Sequence, residues 1–150
     1  DKQYVDHLNK YCSSIFHLDQ NKTIAKIKGL TSLLTGKPIT LPYYFDKRMQ
    51  QWTDRILLQK NINKIFIYSS SMAQYCEKEQ YENYKRVIDF VDVDSDKWRQ
   101  YAEKSSVISK WIYQREHKHL AKYENNICQF FNLTSDSCNS CCCDLFLFTS

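Results

Sequence analysis

Apolar residues recur along this chain at helical spacing in four segments. Each has apolar positions three to four residues apart, which indicates an amphipathic helix. The four sets are Tyr4, Val5, Leu8 and Tyr11; Ile24, Ile27, Leu30, Leu33 and Leu34; Phe45, Met49, Trp52 and Ile56; and Tyr113, Leu120, Tyr123, Ile127 and Phe130. Gly36 and Pro38 are the usual signals for the end of the second helix. A shorter helix is predicted from Ser95 to Glu103.

Continuous apolar runs predict strands between these helices. The runs are 15–18, Ile62–Tyr68, Val87–Val93 and Asp144–Thr149. The segment Lys37–Phe45 contains Pro38 and Pro42, which disfavour regular helix, so it is predicted to be a loop. Apolar strands that alternate with helices indicate a single α/β domain with a mainly parallel sheet covered on both faces.

Composition narrows the class of protein. A chain of 150 residues that is 43% hydrophobic fits one domain with one core. The formal charge of +4 is mild, and Lys and Arg are scattered without a nucleic-acid-binding motif, so no nucleic acid partner is expected. The two glycines, Gly29 and Gly36, are isolated. The sequence therefore contains neither a P-loop nor a glycine-rich dinucleotide-binding turn, which argues against an enzyme that binds ATP or NAD by itself.

The cysteines suggest little chemistry. Four of the seven lie in the segment Cys138–Cys143. A tetrahedral zinc site normally needs a second, separated pair of ligands, so free thiols are the favoured interpretation and no metal is expected.

In the segment Ile88–Trp98, several charged side chains lie at the end of a predicted strand. Asp92, Asp94 and Asp96 are spaced by two, so they would share one side of an extended chain. Such carboxylates can supply a general base or gather a divalent cation. The alternative is that Asp94 or Ser95 only caps the following helix.

A second polar group follows the strand Ile62–Tyr68. Ser69, Ser70, Ser71 and Gln74 lie at a predicted helix start, where hydroxyls and free amides suit contact with sugar or phosphate. The alternative is that these serines cap the helix. Tyr43 and Tyr44 can stack on a sugar ring or simply anchor their loop.

Four long motifs in the order LTGKPITLPYYF, IYSSSMAQY, DFVDVDSDKWRQYAEKS and WIYQREHKHLAKYENNI carry a family resemblance. Over Asp1–Phe131 the chain resembles the amino-terminal domain of bacterial GT-B-fold, family-four-like glycosyltransferases of the PEP-CTERM/exosortase exopolysaccharide system. The resemblance implies a Rossmann-like three-layer fold that lacks its first strands, and a separate, absent domain that binds the nucleotide-sugar donor. It implies no cofactor and no strict metal requirement.

The resemblance also implies roles for individual residues. Asp92 or Asp94 would orient or deprotonate the hydroxyl of a glycan or lipid-linked acceptor. Together with the polar group after Ile62–Tyr68, the candidate substrate-binding residues are Ser69, Ser70, Ser71, Gln74, Ser95, Lys97, Trp98 and Glu116. Glu116 and Glu124 match the family's W-x-x-x-x-E and Y-E patterns, although pairing with lysines one turn away is an alternative.

The long predicted helix also has a basic face. Arg115, Lys118 and Lys122 lie on it, and such a face is ordinarily just solvated. The alternative is contact with an anionic membrane surface, which would add peripheral attachment at the inner membrane to an otherwise cytoplasmic location. The expected function is sugar transfer in exopolysaccharide or cell-envelope synthesis. A non-catalytic glycan- or protein-binding module is the alternative.

Overall fold

The computed structural model describes residues 7–59, 62–90, 93–133 and 145–147. Within these ranges the chain is α/β. The helices are α1 (Lys22–Thr31), α2 (Thr40–Tyr44), α3 (Lys47–Gln59), α4 (Ser70–Ala73), α5 (Asp94–Glu103) and α6 (Val107–Phe130). The strands are β1 (Lys64–Tyr68), β2 (Lys85–Asp89), β3 (Asn132–Leu133) and β4 (Leu145–Leu147).

The four strands form one small sheet in the order β3-β2-β1-β4, and all three pairings are parallel. Ile67 of β1 lies opposite Ile88 of β2 on one side and Leu147 of β4 on the other. The mainly parallel sheet predicted from the apolar strands is therefore confirmed. Because the strands are parallel, the chain leaves β1 and β2 at the same edge of the sheet, where Ser69 and Phe90 follow them.

The core gathers around β1. Ile65 and Ile67 are fully buried, since β1 has a neighbouring strand on each side. The other buried core residues include Leu57, Tyr75, Tyr81, Ile88, Ile127 and Phe131. Leu120 and Ile127 of α6 are buried as the helical spacing predicts, and so are Ile56 and Leu57 of α3. No helix in the described ranges has the length and apolar character needed to cross a membrane.

Helix α1 is where the sequence predicted, but its orientation differs from the expected one. Ala25 and Gly29 face inward, whereas Ile24, Ile27 and Leu30 are 52%, 60% and 55% exposed. The reason is close packing on the next segment, because a Cβ on Gly29 would lie 2.8 Å from Ile39 Cγ2. Only the small side chains of α1 fit against that surface.

The predicted loop Lys37–Phe45 is partly wrong, because Thr40–Tyr44 forms helix α2. Pro42 is the third residue of this helix. In the first turn the amide hydrogens have no partner within the helix, so proline removes no helical hydrogen bond there. The prediction failed because it treated proline as a helix breaker without regard to its position.

Several other elements differ from those predicted. The strand predicted at 15–18 is wrong, since residues 14–20 take no part in the sheet and Phe16 instead stacks on Trp52 with ring centroids 5.5 Å apart. Strand β2 ends at Asp89 rather than Val93, and β3 was not predicted. The start of the first predicted helix, before residue 7, lies outside the described residues, and the part described ends in a turn at Cys12.

Candidate functional site

An open cleft of about 540 Å³ lies at the carboxyl ends of β1 and β2. Tyr68, the last residue of β1, and Phe90, which follows β2, form its floor. Its lining is Ile39, Thr40, Tyr43, Tyr44, Tyr68, Ser69, Ser71, Phe90, Asp94, Lys97, Trp98 and Tyr101. The volume and the mixture of aromatic side chains with a few polar groups are typical of small-molecule sites.

The first wall of the cleft is helix α2 with Ile39, and we call it the α2 wall. Glu116 of α6 holds its amino end: the carboxylate accepts hydrogen bonds from the Ile39 amide at 2.6 Å, the Thr40 amide at 2.9 Å and the Thr40 hydroxyl at 2.7 Å. Glu116 is fully buried. A negative charge is favourable at this end because the free amides carry the positive end of the helix dipole.

The carboxyl end of the α2 wall is held by two side chains that follow β1. The Gln74 amide donates to the Leu41 carbonyl at 3.1 Å, and the Tyr75 hydroxyl donates to the Tyr44 carbonyl at 2.8 Å. Burial raises the pKa of Tyr75 to about 12, so the phenol keeps the proton that this bond requires at neutral pH. Both ends of a five-residue helix are therefore fixed by tertiary hydrogen bonds.

The opposite wall, which we call the α5 wall, consists of Asp94, Lys97, Trp98 and Tyr101. These positions recur at helical spacing, so their side chains lie on one face of α5. Trp98 and Tyr101 contact edge to face with centroids 5.9 Å apart, and both rings pack on Tyr113 of α6. This packing holds the aromatic side of the wall in place.

Asp94 lies where the two strand ends meet. Its Oδ2 accepts a hydrogen bond from the Ser70 hydroxyl at 3.1 Å and lies 3.5 Å from the Ser69 hydroxyl. Its Oδ1 lies 3.4 Å from the Lys97 ammonium, and the Ser69 and Ser71 hydroxyls are 3.0 Å apart. The polar groups that follow β1 and β2 in sequence therefore form one cluster in space.

The backbone of Ser69 is strained. Its φ of 82° and ψ of 142° fall in a region that is almost restricted to glycine, at a cost on the order of 1–3 kcal/mol. The hydrogen bond from the Ser69 amide to the Asp89 carbonyl, at 2.8 Å, helps to hold this conformation between the two strand ends. Strain of this kind concentrates at ligand sites in proteins.

The predicted capping roles are wrong for both helices. The N-cap of α5 is Val93, with no side-chain capping hydrogen bond, and Asp94 is the first helical residue. Ser69 is the N-cap of α4 but makes no capping hydrogen bond. In each case tertiary partners engage the side-chain oxygens that capping would need, because Asp94 and the serines face one another.

Glu124 lies behind the α5 wall and is 6% exposed. It accepts a hydrogen bond from the Ser95 amide at 3.3 Å, and His117 Nδ1 lies 2.9 Å from the Ser95 carbonyl. Burial raises the pKa of Glu124, and the negative charge of Asp94 raises it further, whereas hydrogen bonds from Ser95 and Ser70 oppose the shift. Like those of Glu116, its hydrogen bonds are tertiary rather than the lysine pairs considered as an alternative.

The structure sorts the predicted site residues into two groups. Ser69, Ser71, Asp94, Lys97 and Trp98 line the cleft. Ser70, Gln74, Ser95 and Glu116 lie behind the lining and hold it in place. Asp92 lies outside the described residues, as do Cys138–Cys143. Tyr43 and Tyr44 line the cleft from a helix rather than from the predicted loop.

Sequence reasoning missed five residues of the lining: Ile39, Thr40, Tyr68, Phe90 and Tyr101. Two of them, Tyr68 and Phe90, had a usable signal because they lie at strand ends. Tyr101 also had one, because it follows Asp94 and Trp98 at helical spacing. Nothing local marks Ile39 and Thr40, whose position depends on Glu116, far away in sequence.

The predicted basic face on α6 is only partly available to a partner. The Arg115 guanidinium donates to the Ser32 carbonyl at 2.9 Å and to the Lys37 carbonyl at 3.2 Å. Arg115 therefore ties α6 to the connection between α1 and α2 and uses its guanidinium within the domain, while its contact with a membrane stays a prediction. Lys118 and Lys122 are exposed. In the described part of the chain, no group of three or more His, Cys, Asp and Glu side chains is placed to hold a metal ion.

No protein-family profile, curated protein or solved structure matches this chain.

Proposed function

We propose that this chain is the acceptor-side, Rossmann-like half of a GT-B glycosyltransferase that works in the cytoplasm. The whole enzyme transfers a sugar from a nucleotide-sugar to a glycan or lipid-linked acceptor during assembly of exopolysaccharide or another cell-envelope glycan. The observation that carries the proposal is the cleft, which unites Ser69, Ser71, Asp94, Lys97 and Trp98 with aromatic side chains at the carboxyl ends of parallel strands.

The strand order supports the Rossmann-like interpretation. From β1 the chain proceeds outward to β2 and β3, and β4 then pairs with the other side of β1. This reversal is the topological switch point of doubly wound sheets, and ligands bind there, outside the carboxyl ends of the strands. Ser69 lies at the end of β1, beside that point.

The lining suits a saccharide. Tyr43 and Tyr44 on the α2 wall and Trp98 and Tyr101 on the α5 wall line the cleft, and aromatic rings can stack on the apolar faces of sugar rings. Thr40, Ser69 and Ser71 offer hydroxyl groups, which can both donate to and accept from sugar hydroxyls. A narrow set of polar groups among aromatic rings can fix both the position and the orientation of an acceptor.

Asp94 is the described residue best placed for the chemical step. Its carboxylate would accept the proton of the acceptor hydroxyl while that oxygen bonds to the anomeric carbon of the donor sugar. The nucleotide leaves with the electron pair of the broken carbon–oxygen bond. Ser70 fixes one carboxylate oxygen, and Lys97 places a positive charge where phosphate oxygens of the donor would approach. Asp92 remains the second candidate for the base.

Two aspartates in the first turn of α5 provide a matched test. Asp94 lines the cleft, whereas Asp96 does not and instead pairs with Arg99 at 2.6 Å. In the full enzyme, with its donor-binding domain, we expect Asp94→Asn to lower turnover by about 100- to 10,000-fold and to leave donor affinity nearly unchanged. Asp96→Asn should keep near wild-type turnover. Equal turnover in both variants would remove Asp94 from the mechanism and leave Asp92→Asn as the next test.

Residues 1–150 alone should bind acceptor saccharides without transferring sugar. Titration with candidate acceptors, followed by tryptophan fluorescence, tests binding, and Trp111→Phe is a useful control because Trp111 is 60% exposed and lies outside the lining. A response that persists in Trp111→Phe but is lost in Trp98→Phe places the saccharide in the cleft. Sugar transfer by this chain alone would contradict the proposed division of labour between domains.

A further inference from the structure

Helix α1 turns an apolar face to solvent. Ile24, Ile27 and Leu30 are each more than half exposed, and Leu34 in the turn that follows is 92% exposed. We call Ile24, Ile27, Leu30 and Leu34 the α1 face. The opposite side of the helix, with Ala25 and Gly29, is packed against the domain. A cluster of large aliphatic side chains at the surface is a common mark of an interaction site.

Lysines border the α1 face on both sides. At about 100° per residue, Lys22 and Lys26 lie along one side of Ile27, and Lys28 lies along the other. Helix α1 contains no acidic residue. An outward apolar stripe flanked by lysine is the pattern of a helix that lies in the plane of a membrane surface.

The segment around the α1 face contains basic residues and no acidic ones. Residues 20–45 contain four lysines, Lys22, Lys26, Lys28 and Lys37, and no Asp or Glu. The whole chain has 21 Lys and Arg against 17 Asp and Glu. The segment that carries the α1 face is therefore basic, with Asp19 and Asp46 lying just outside it.

We infer that the α1 face binds the surface of an anionic lipid bilayer, with its aliphatic side chains at the boundary between headgroups and acyl chains and with Lys22 and Lys26 at the phosphates. A bilayer satisfies both features together, since aliphatic insertion and attraction to anionic lipid each strengthen binding. An apolar protein groove would account for the aliphatic residues but would leave the flanking lysines Lys22 and Lys26 unexplained. This surface replaces the α6 face that the sequence suggested.

The α1 face is held firmly to the rest of the domain. Arg115 of α6 donates to the Ser32 and Lys37 carbonyls just beyond α1, and Lys28 donates to the Phe45 carbonyl at 3.3 Å. Binding would therefore orient the whole domain on the bilayer rather than tether it loosely. The inference does not depend on glycosyl transfer, although a membrane surface would bring lipid-linked acceptors close.

Cosedimentation with vesicles tests the inference. The vesicles are phosphatidylcholine alone or mixed with phosphatidylglycerol, at low and high salt. The charge test compares Lys22→Gln/Lys26→Gln with the matched pair Lys118→Gln/Lys122→Gln, since all four lysines are exposed and the second pair lies on α6. A third variant, Ile24→Ser/Ile27→Ser/Leu30→Ser, removes the aliphatic side chains. These are solvent-exposed, so the fold should be retained, as circular dichroism can verify.

Wild type should pellet with the anionic vesicles at low salt, and binding should weaken at high salt because the Debye length shortens. Each lysine removed from the α1 face should lower the partition coefficient about fivefold, so the double variant should lose about 25-fold. The serine variant should lose at least about tenfold, and Lys118→Gln/Lys122→Gln should bind like wild type.

Three results would overturn the inference. They are equal binding of wild type and the serine variant, an equal loss in the two lysine pairs, and self-association of wild type without lipid that the serine substitutions abolish. Sedimentation velocity measures the last, which would identify the α1 face as an interface between two copies. Failure here leaves the proposed function intact, because transfer to a soluble acceptor does not require a membrane.

Discussion

The two walls of the cleft are supported by two glutamates of the same helix, and the supports differ in kind. Glu116 meets the amino end of α2 and accepts three short hydrogen bonds there. Glu124 lies behind α5 near Asp94, a second carboxylate, and its pKa is raised by burial and by that neighbouring charge. Whether a buried carboxylate is stabilised thus depends on whether the facing element presents hydrogen-bond donors, as α2 does to Glu116, or another negative charge, as Asp94 does to Glu124.

Because of this difference, we expect the two walls of the cleft to have different roles. The α2 wall is fixed by a complete set of bonds from Glu116, Gln74 and Tyr75, so it acts as a rigid aromatic surface. Asp94 of the α5 wall lies near Glu124 of α6, and hydrogen bonds from Ser95 and Ser70 only partly offset the burial and the repulsion that raise the pKa of Glu124. Carboxyl groups whose pKa is shifted by burial and by a neighbouring charge are common at sites of proton transfer. The chemistry is therefore expected on the α5 wall and the shape on the α2 wall.

The largest effect should come from removing the α2 support. Glu116→Ala should lower the free energy of unfolding by about 4 kcal/mol, because it leaves the buried amide and hydroxyl of Thr40 and the part-buried amide of Ile39 without their charged acceptor. Urea denaturation measures the loss, and Glu82→Ala, at an exposed glutamate, is the control. A loss below about 1 kcal/mol would mean that another group satisfies these donors and that α2 does not depend on Glu116.

A smaller decrease in the free energy of unfolding should follow when a larger side chain is placed at the contact between α1 and the α2 wall. In an unpacked helix, Gly→Ala stabilises by about 1 kcal/mol, but the new Cβ at position 29 would lie 2.8 Å from Ile39 Cγ2. Gly29→Ala should therefore destabilise, by about 2 kcal/mol. Thermal and urea unfolding measure this change.

The companion variant Ile39→Ala identifies the cause of that loss. It removes the atom that the new Cβ would meet, so Gly29→Ala should cost much less in the Ile39→Ala background. Additive effects of the two substitutions would show that the clash with Ile39 is not the reason.

Glu124→Gln should change the free energy of unfolding least of these substitutions, and the change should depend on pH. Near neutral pH we expect a change of less than about 1 kcal/mol, because the amide oxygen can still accept the Ser95 hydrogen bond. The folded pKa of Glu124 is raised above its ordinary 4.5. The stability that this shift adds is fully present below the unfolded pKa and is lost as pH rises through the folded pKa.

Glu124→Gln should therefore gain stability relative to wild type as pH rises from about 5 to 8. Urea denaturation across this range measures the difference, with Glu103→Gln as an exposed control on α5. Asp94→Asn should weaken the trend, because the charge of Asp94 contributes to the shift. A difference that is constant with pH would show that Glu124 is not held in this coupled environment.

The sequence by itself determined the elements whose signals are local. The apolar run of β1 and the helical spacing of Leu120 and Ile127 are set by the period at which side chains must point into a core, and both were predicted correctly. Parallel strands also place their carboxyl ends at one edge, so the meeting of the Ser69 group with Asp94 was foreseeable. These features depend only on neighbours along the chain and on one rule of topology.

The tertiary structure alone decided the rest of the cleft. Helix α2 has five residues, too few to be stable in isolation, and it exists because Glu116, 76 positions from Thr40, completes its amino end. The same packing chose which side of α1 faces inward, since the approach of Ile39 admits Gly29 but not a larger residue. Contacts between residues far apart in sequence leave no local period, so no pattern in the sequence could have predicted them.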